Sequence, residues 1–306
     1  SEMCIRDRIN AAGGINGKQI EYKFEDDQAD SEKSVNAYNT LKDWGMQALI
    51  GTTTSTPCTA VVEETHSDNM FQLTPSATAV DSIQYDNAFR MCFSDPNQGS
   101  ASADYIAENK LSTKVAIIYN SSDTYSSGIY QTFATEAKAK GLDVVAAEAF
   151  TADNKTDFSV QIQKAKDAGA ELVFLPIYYQ EASLILAQAN KAGFTPKWFG
   201  CDGMDGILDL DGFDASLAED LMFLTPFTAN ATDEATQKFV ADYKEAFGDT
   251  PIQFAADAYD CVYVIKAAAE KEDVTPDKSA SDICDALKKG MTEITYDGPV
   301  SYTHLR

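Results

Sequence analysis

The segment Ile50-Gly51-Thr52-Thr53-Thr54-Ser55-Thr56-Pro57 closes an apolar run and opens a helical one. In an open α/β sheet, ligands bind beyond the carboxyl ends of the strands. A helix that starts there offers unpaired N–H groups and a partial positive charge. Hydroxyls from Ser55 or Thr56 would add donors, making an anion site built without cations. The same hydroxyls are also those that cap helices, and the sequence leaves both roles open. The next strand ends in Thr74-Pro75-Ser76-Ala77-Thr78 and carries two more hydroxyls to the same rim. Ser and Thr at two successive strand ends, with no Lys or Arg, suit a small carboxylate. A phosphate more often calls on arginine or on a glycine-rich loop with lysine. An ordinary proline turn is the plainer reading of the second segment.

Three further strand ends carry a different chemistry. Asp123-Thr124-Tyr125-Ser126, Tyr178-Tyr179-Gln180-Glu181 and Cys201-Asp202-Gly203 each follow a short apolar run. Tyrosines there would supply flat apolar walls with a polar tip. Asp202 would supply a negative charge for an ammonium group. Donors from one set of loops and a carboxylate from the other would recognise a zwitterion. Each tyrosine also fits a packing role, and Asp202-Gly203 also reads as a turn.

Catalytic signals are missing. The chain has two histidines, so a Ser-His-Asp triad would have to rest on His66, because His304 lies in the terminal segment discussed below. There is no nucleophile elbow and no phosphate loop. Gly13-Gly14-Ile15-Asn16-Gly17 has no helix directly after it and reads as a turn. Asp26-Asp27 reads as an exposed acidic strand end, and Asp205, Asp209 and Asp211 lack calcium-loop spacing. The six cysteines form no CxxC pair and no zinc spacing with the histidines; they read as isolated core residues, with one long-range disulfide left open. No catalytic residue, metal or cofactor is therefore expected. A net charge of −24 spread along the chain repels phosphate backbones and anionic lipid, so no nucleic-acid partner is expected. An apolar content of 44% over 306 residues allows two globular domains, and no run is long enough to span a membrane.

The elements that would position these loops alternate. Strand-like runs at 20–24, 48–50, 71–74 and 88–93 interleave with helical patterns at 31–44, capped by Ser31, and 57–67, with Pro57 at its first position. The beat resumes with strands at 114–119, 142–147, 171–175, 197–200 and 221–224 and helices at 128–140, 158–168 and 181–192. Three helices follow, at 232–247, 254–271 and 279–289. The alternation predicts an α/β fold of two doubly wound lobes with a ligand cleft between them.

Taken together, Ile9–Gly17, Asp26-Asp27, Gly51–Ser55, Thr74–Ala79, Phe89-Arg90, Asp95–Gly99, Phe158–Ala168, Tyr178–Ala182 and Gln188–Gly193 resemble, in order and spacing, the branched-chain amino-acid binding proteins. These are type I periplasmic binding proteins that serve ABC importers. The resemblance implies a non-enzymatic, monomeric clamp that takes an amino acid and docks on a membrane permease, at the periplasmic or extracellular face and with lipid anchoring as one form. It implies a discontinuous first lobe, 9–98 with 226–298, and a second, 99–225. It assigns ligand contact to Ser55, Ser76, Ala77 and Thr78 in the first lobe and to Tyr125, Tyr178 and Asp202 in the second. Relatives often have glutamate at the Asp202 position, so the amine must come closer or be bridged by water. A receptor's sensing domain of the same fold, or a binder of amides or other small carboxylates, are the alternatives.

Residues 1–8 and 299–306 do not continue the patterns beside them and read as non-native ends, with the signal peptide and the first strand lost. That strand is expected at the centre of the first sheet, so marginal stability is expected.

Overall fold

The computed structural model of this chain describes residues 2–300 and 302–303; His304 lies outside the described residues, as does the Cys4 side chain. The chain forms two compact units, Ser1–Phe93 with Pro226–Arg306, and Ser94–Thr225.

The first unit opens with α1 (Glu2–Ala11), whose Ile5 and Ile9 are buried. Arg8 of this helix pairs with Asp242 at 2.6 Å. Helix α2 (Ser31–Trp44) is capped by Asp30, not Ser31: the Asp30 carboxylate accepts from the Lys33 N–H. It stops at Gly45, whose φ of 100° favours glycine. Next come β1 (Leu49–Ile50), α3 (Ser55–Asp68), β2 (Gln72–Thr74) and β3 (Ala88–Arg90). Pro57 is the third residue of α3, not the first. The three strands form one parallel sheet in the order β1-β2-β3.

The expected strand at 20–24 is not formed. Residues 19–27 run without strand pairing, held at Ile20 by paired hydrogen bonds to the Asn10 side chain. A cavity of about 840 Å³ is lined by this stretch, by Tyr38 and Leu41 of α2, and by Ile50 of β1. The apolar alternation of Ile20, Tyr22 and Phe24 is present, but a strand also needs a ladder partner within about 5 Å.

The second unit begins at Ser94, earlier than residue 99, because Asp95–Gln98 are the first turn of α4 (Asp95–Glu108), capped by Ser94. It continues through β4 (Lys114–Asn120), α5 (Thr124–Ala139), β5 (Asp143–Phe150), α6 (Ser159–Asp167), β6 (Leu172–Leu175), α7 (Tyr179–Lys191), β7 (Lys197–Gly200) and β8 (Met222–Phe223). All five strands are parallel, in the order β5-β4-β6-β7-β8. Both faces are covered, which explains the near-continuous apolar runs. Val115, Ile117, Leu172 and Phe174 pack on Ile106 of α4 and Ile129 and Phe133 of α5. Their neighbours Ala116, Ile118, Val173 and Leu175 pack on α6 and α7 through Ile162, Ile185 and Leu186. Gly99 lets α4 and α5 touch: a Cβ there would lie 2.8 Å from the Ile129 carbonyl oxygen.

The chain then returns to the first unit with α8 (Glu234–Phe247), α9 (Gln253–Lys271), α10 (Ala280–Glu293) and a small hairpin of β9 (Tyr296–Asp297) and β10 (Tyr302–Thr303). Cys261 and Val264 of α9 and Leu287 of α10 cover Phe71, Leu73 and Phe89 of the sheet. Among the described residues no helix is long and apolar enough to cross a membrane.

Cys58, Cys92, Cys201, Cys261 and Cys284 are buried. Burial pushes the Cys58 thiol up, the Cys201 thiol well up and the Cys284 thiol up to about 12. Because the thiolate is the reactive form, Ellman's reagent is expected to spare all five in the native protein and to reach them on denaturation. A native fast phase from any of the five would contradict this burial.

Candidate functional site

In the first unit the candidate loops follow β1 and β2, and a polar network ties them together. The Thr65 hydroxyl donates to the Gln72 side chain at 2.7 Å, and Gln72 in turn donates to the Gly51 carbonyl at 2.9 Å. Thr74 joins the two loops. Its hydroxyl donates to the Thr52 carbonyl and accepts from the Ala77 N–H. Ser55, Ser76, Ala77 and Thr78 therefore come together, all of them buried.

The directions of the hydrogen bonds sort these hydroxyls. A serine has one proton to donate and two lone pairs to accept with. Ser55 Oγ accepts from the N–H groups of both Thr78 (3.1 Å) and Ala79 (3.2 Å). Both lone pairs are engaged, so toward a ligand it can only donate. Ser76 is the reverse: its proton goes to the Thr53 carbonyl at 2.7 Å, which leaves it able to accept. The Thr78 hydroxyl oxygen is fully buried with no hydrogen-bond partner. Ser55 is not the cap of α3. That position is Thr54, whose side chain makes no cap bond.

The expectation of a rim without cations needs correction. Arg90, at the end of β3, donates to the carbonyls of Thr78 (2.9 Å) and Ala79 (3.1 Å). Among the described residues it makes no ion pair.

In the second unit β4 and β6 are neighbours, with β5 beyond one and β7 beyond the other. The strand order reverses between them, and such a switch point opens a crevice at the strand ends. Tyr125, just after β4, and Tyr178, just after β6, stand at that point with rings stacked at 4.8 Å. Asp202 follows β7. Its Oδ1 accepts from the Tyr125 hydroxyl at 2.8 Å and from the Gly203 N–H at 2.9 Å. The Gly203 N–H is shared with the Tyr125 oxygen, and the Asp202 N–H donates to Gln98 at 3.1 Å. Tyr125 and Asp202 are 2% and 3% exposed. Burial, and next the Asp202 charge, hold the Tyr125 phenol well above its ordinary pKa. Asp202 also starts a short 3-10 turn, so its turn role and its place in this cluster coexist. Gly203 is required by proximity: a Cβ would fall 2.8 Å from the Tyr125 hydroxyl.

Gln72, Arg90 and Gln98 support the two clusters, and the sequence reading gave none of them a role. Their signal was position only, on or beside segments already marked. Among the described residues no group of acidic, histidine or cysteine side chains could hold a metal ion.

The first unit carries a donor-rich loop cluster, and the second carries an aromatic, acidic one. The chain is 29% identical over 300 residues to the Leu/Ile/Val-binding protein homolog 3 of Brucella melitensis, covering 96% of this chain and 79% of that protein. It is 29% identical over 280 residues to the leucine-, isoleucine-, valine-, threonine- and alanine-binding protein of Pseudomonas aeruginosa, covering 90% and 73%. The solved structure of the branched-chain amino acid transporter substrate-binding protein LivJ from Streptococcus pneumoniae, in complex with isoleucine, superposes with a TM-score of 0.88 at 28% identity. It covers 98% of this chain and 84% of that one. The model of the family described as periplasmic binding protein matches residues 3–304, and with nearly the whole chain matched, the chain belongs to that family.

Proposed function

We propose that this chain captures one amino acid of the branched-chain type outside the cytoplasm and delivers it to an ABC permease, without catalysing a reaction. The observation that carries this is the opposite chemistry of the two clusters. Ser55 can only donate and Ser76 can accept, whereas the second unit presents a buried carboxylate bonded to Tyr125, whose ring stacks on that of Tyr178. A ligand that satisfies both clusters has a carboxylate for Ser55 and Thr78, an ammonium for Ser76 and Asp202, and an apolar side chain for Tyr125 and Tyr178. Ala77 would supply backbone contact from the same loop. A monomer suffices for this mechanism.

A thermal-shift panel of amino acids, amides and sugars tests the reading. A ligand at about a hundred times its Kd adds about 2.7 kcal/mol of stability. Leucine, isoleucine or valine is expected to raise Tm clearly. A shift with a sugar or an amide and with no amino acid would overturn the zwitterion assignment.

A further inference from the structure

With both lone pairs engaged, Ser55 is left only its proton to offer a carboxylate, and the groups that engage them belong to a loop with its own anchor. The peptide unit joining Thr78 to Ala79 carries the Thr78 carbonyl on one edge and the Ala79 N–H on the other. Arg90 donates to that carbonyl at 2.9 Å, and the N–H reaches Ser55 Oγ at 3.2 Å. A second strand of the same clamp joins Arg90 to the Ala79 carbonyl at 3.1 Å. The guanidinium, one peptide and one hydroxyl thus form a chain in which each donor polarises the next. Ser55's own proton stands at the end of it, and no acceptor for that proton is present among the described residues. The Thr78 hydroxyl, buried and unpartnered, is fixed by the same loop.

We propose that Arg90 is a positioning residue for carboxylate recognition: it holds the Thr78–Ala79 peptide so that Ser55 is committed to donating, and it lends positive charge to that proton without touching the ligand. This inference rests on the amino-acid reading above. It explains how a rim of neutral hydroxyls selects an anion. Both bonds leave the one Nη1 group; arginine suits the task because its planar guanidinium fixes the direction of those two N–H groups, whereas the lysine ammonium is a compact charge on a flexible stem.

The test compares leucine with leucinamide, which keeps the ammonium and side chain and lacks the carboxylate charge. Both are titrated calorimetrically into wild type, Arg90→Met and Arg90→Lys. Leucine binding by wild type is the control for the underlying reading; its failure would sink that reading and not single out Arg90. Given that control, Arg90→Met is expected to weaken leucine by about tenfold or more, the scale of a hydrogen bond to a charged group. Leucinamide is expected to stay within about twofold. Arg90→Lys is expected to recover part of the leucine loss, and it carries the same comparison should the Met variant not fold. Equal weakening of both ligands would assign Arg90 to packing alone and overturn the proposal, as would unchanged affinity for leucine.

Discussion

Replacing Asp202 with asparagine is expected to abolish the ligand-induced rise in Tm and to weaken leucine at least about a hundredfold. Asparagine has nearly the same shape and keeps an oxygen to accept from the Tyr125 hydroxyl and the Gly203 N–H, which now meet Oδ1 at 2.8 and 2.9 Å. The substitution therefore removes charge and leaves the local geometry in place. Truncating one partner of a buried, hydrogen-bonded charge pair costs about 2–5 kcal/mol, and 2.7 kcal/mol is a hundredfold. Calorimetric titration of leucine measures it, with circular dichroism as the check that the variant folds. Affinity within threefold of wild type would remove Asp202 from ammonium recognition. Tyr125 belongs to the same unit of chemistry. Its phenol is held above the ordinary value first by burial and then by Asp202, so it remains a donor when an exposed tyrosine has ionised. The sign follows: the folded state retains this proton longer than the unfolded chain, so stability falls as pH rises above about 10.

What the residues disclosed in advance follows the range of the interactions involved. The strands of the second unit were legible because each is written locally. Lys114–Tyr119 and Glu171–Leu175 are apolar runs long enough to be strands and too short to be helices, and the structure places them side by side as β4 and β6. The loops after them had to lie at one end of the sheet, and Tyr125 and Tyr178 do stack there. Where interpretation failed, the missing term was tertiary. Residues 95–98 were placed with the first lobe, yet they start α4 of the second unit behind a Ser94 cap. Ile20–Phe24 has the alternation of a strand and no partner beside it. Arg90 could not be seen as part of the rim from its position, because its role lies in two carbonyls more than ten residues away. Ser55 was seen as a donor or a cap. Only the direction of two backbone N–H groups separates those roles.

The same contrast between the two sheets sets the last expected result: amides of β1 and β2 should exchange with solvent at least about a hundredfold faster than those of β4 and β6. In the second unit β4 and β6 have ladder partners on both sides and apolar layers on both faces. In the first unit β1 is two residues long and β2 three. The register of β1 on β2 uses the Leu49 and Gly51 N–H groups, at 2.9 and 3.0 Å from the Phe71 and Leu73 carbonyls. Alternate residues of a strand bond to opposite sides, so the N–H and C=O of Ile50 point away from β2, and Ile50 lines the 840 Å³ cavity. Backbone groups without ladder partners, beside a cavity, lower the cost of local opening. A hundredfold difference in exchange corresponds to about 2.7 kcal/mol in opening free energy. Hydrogen exchange read by mass spectrometry on peptides covering 46–51 and 70–75 against 114–120 and 171–176 measures it directly. Equal protection of the two sheets would mean that the cavity costs the first unit nothing, and that the helices α9 and α10 packed on Phe71, Leu73 and Phe89 hold that sheet as firmly as a full set of strands would.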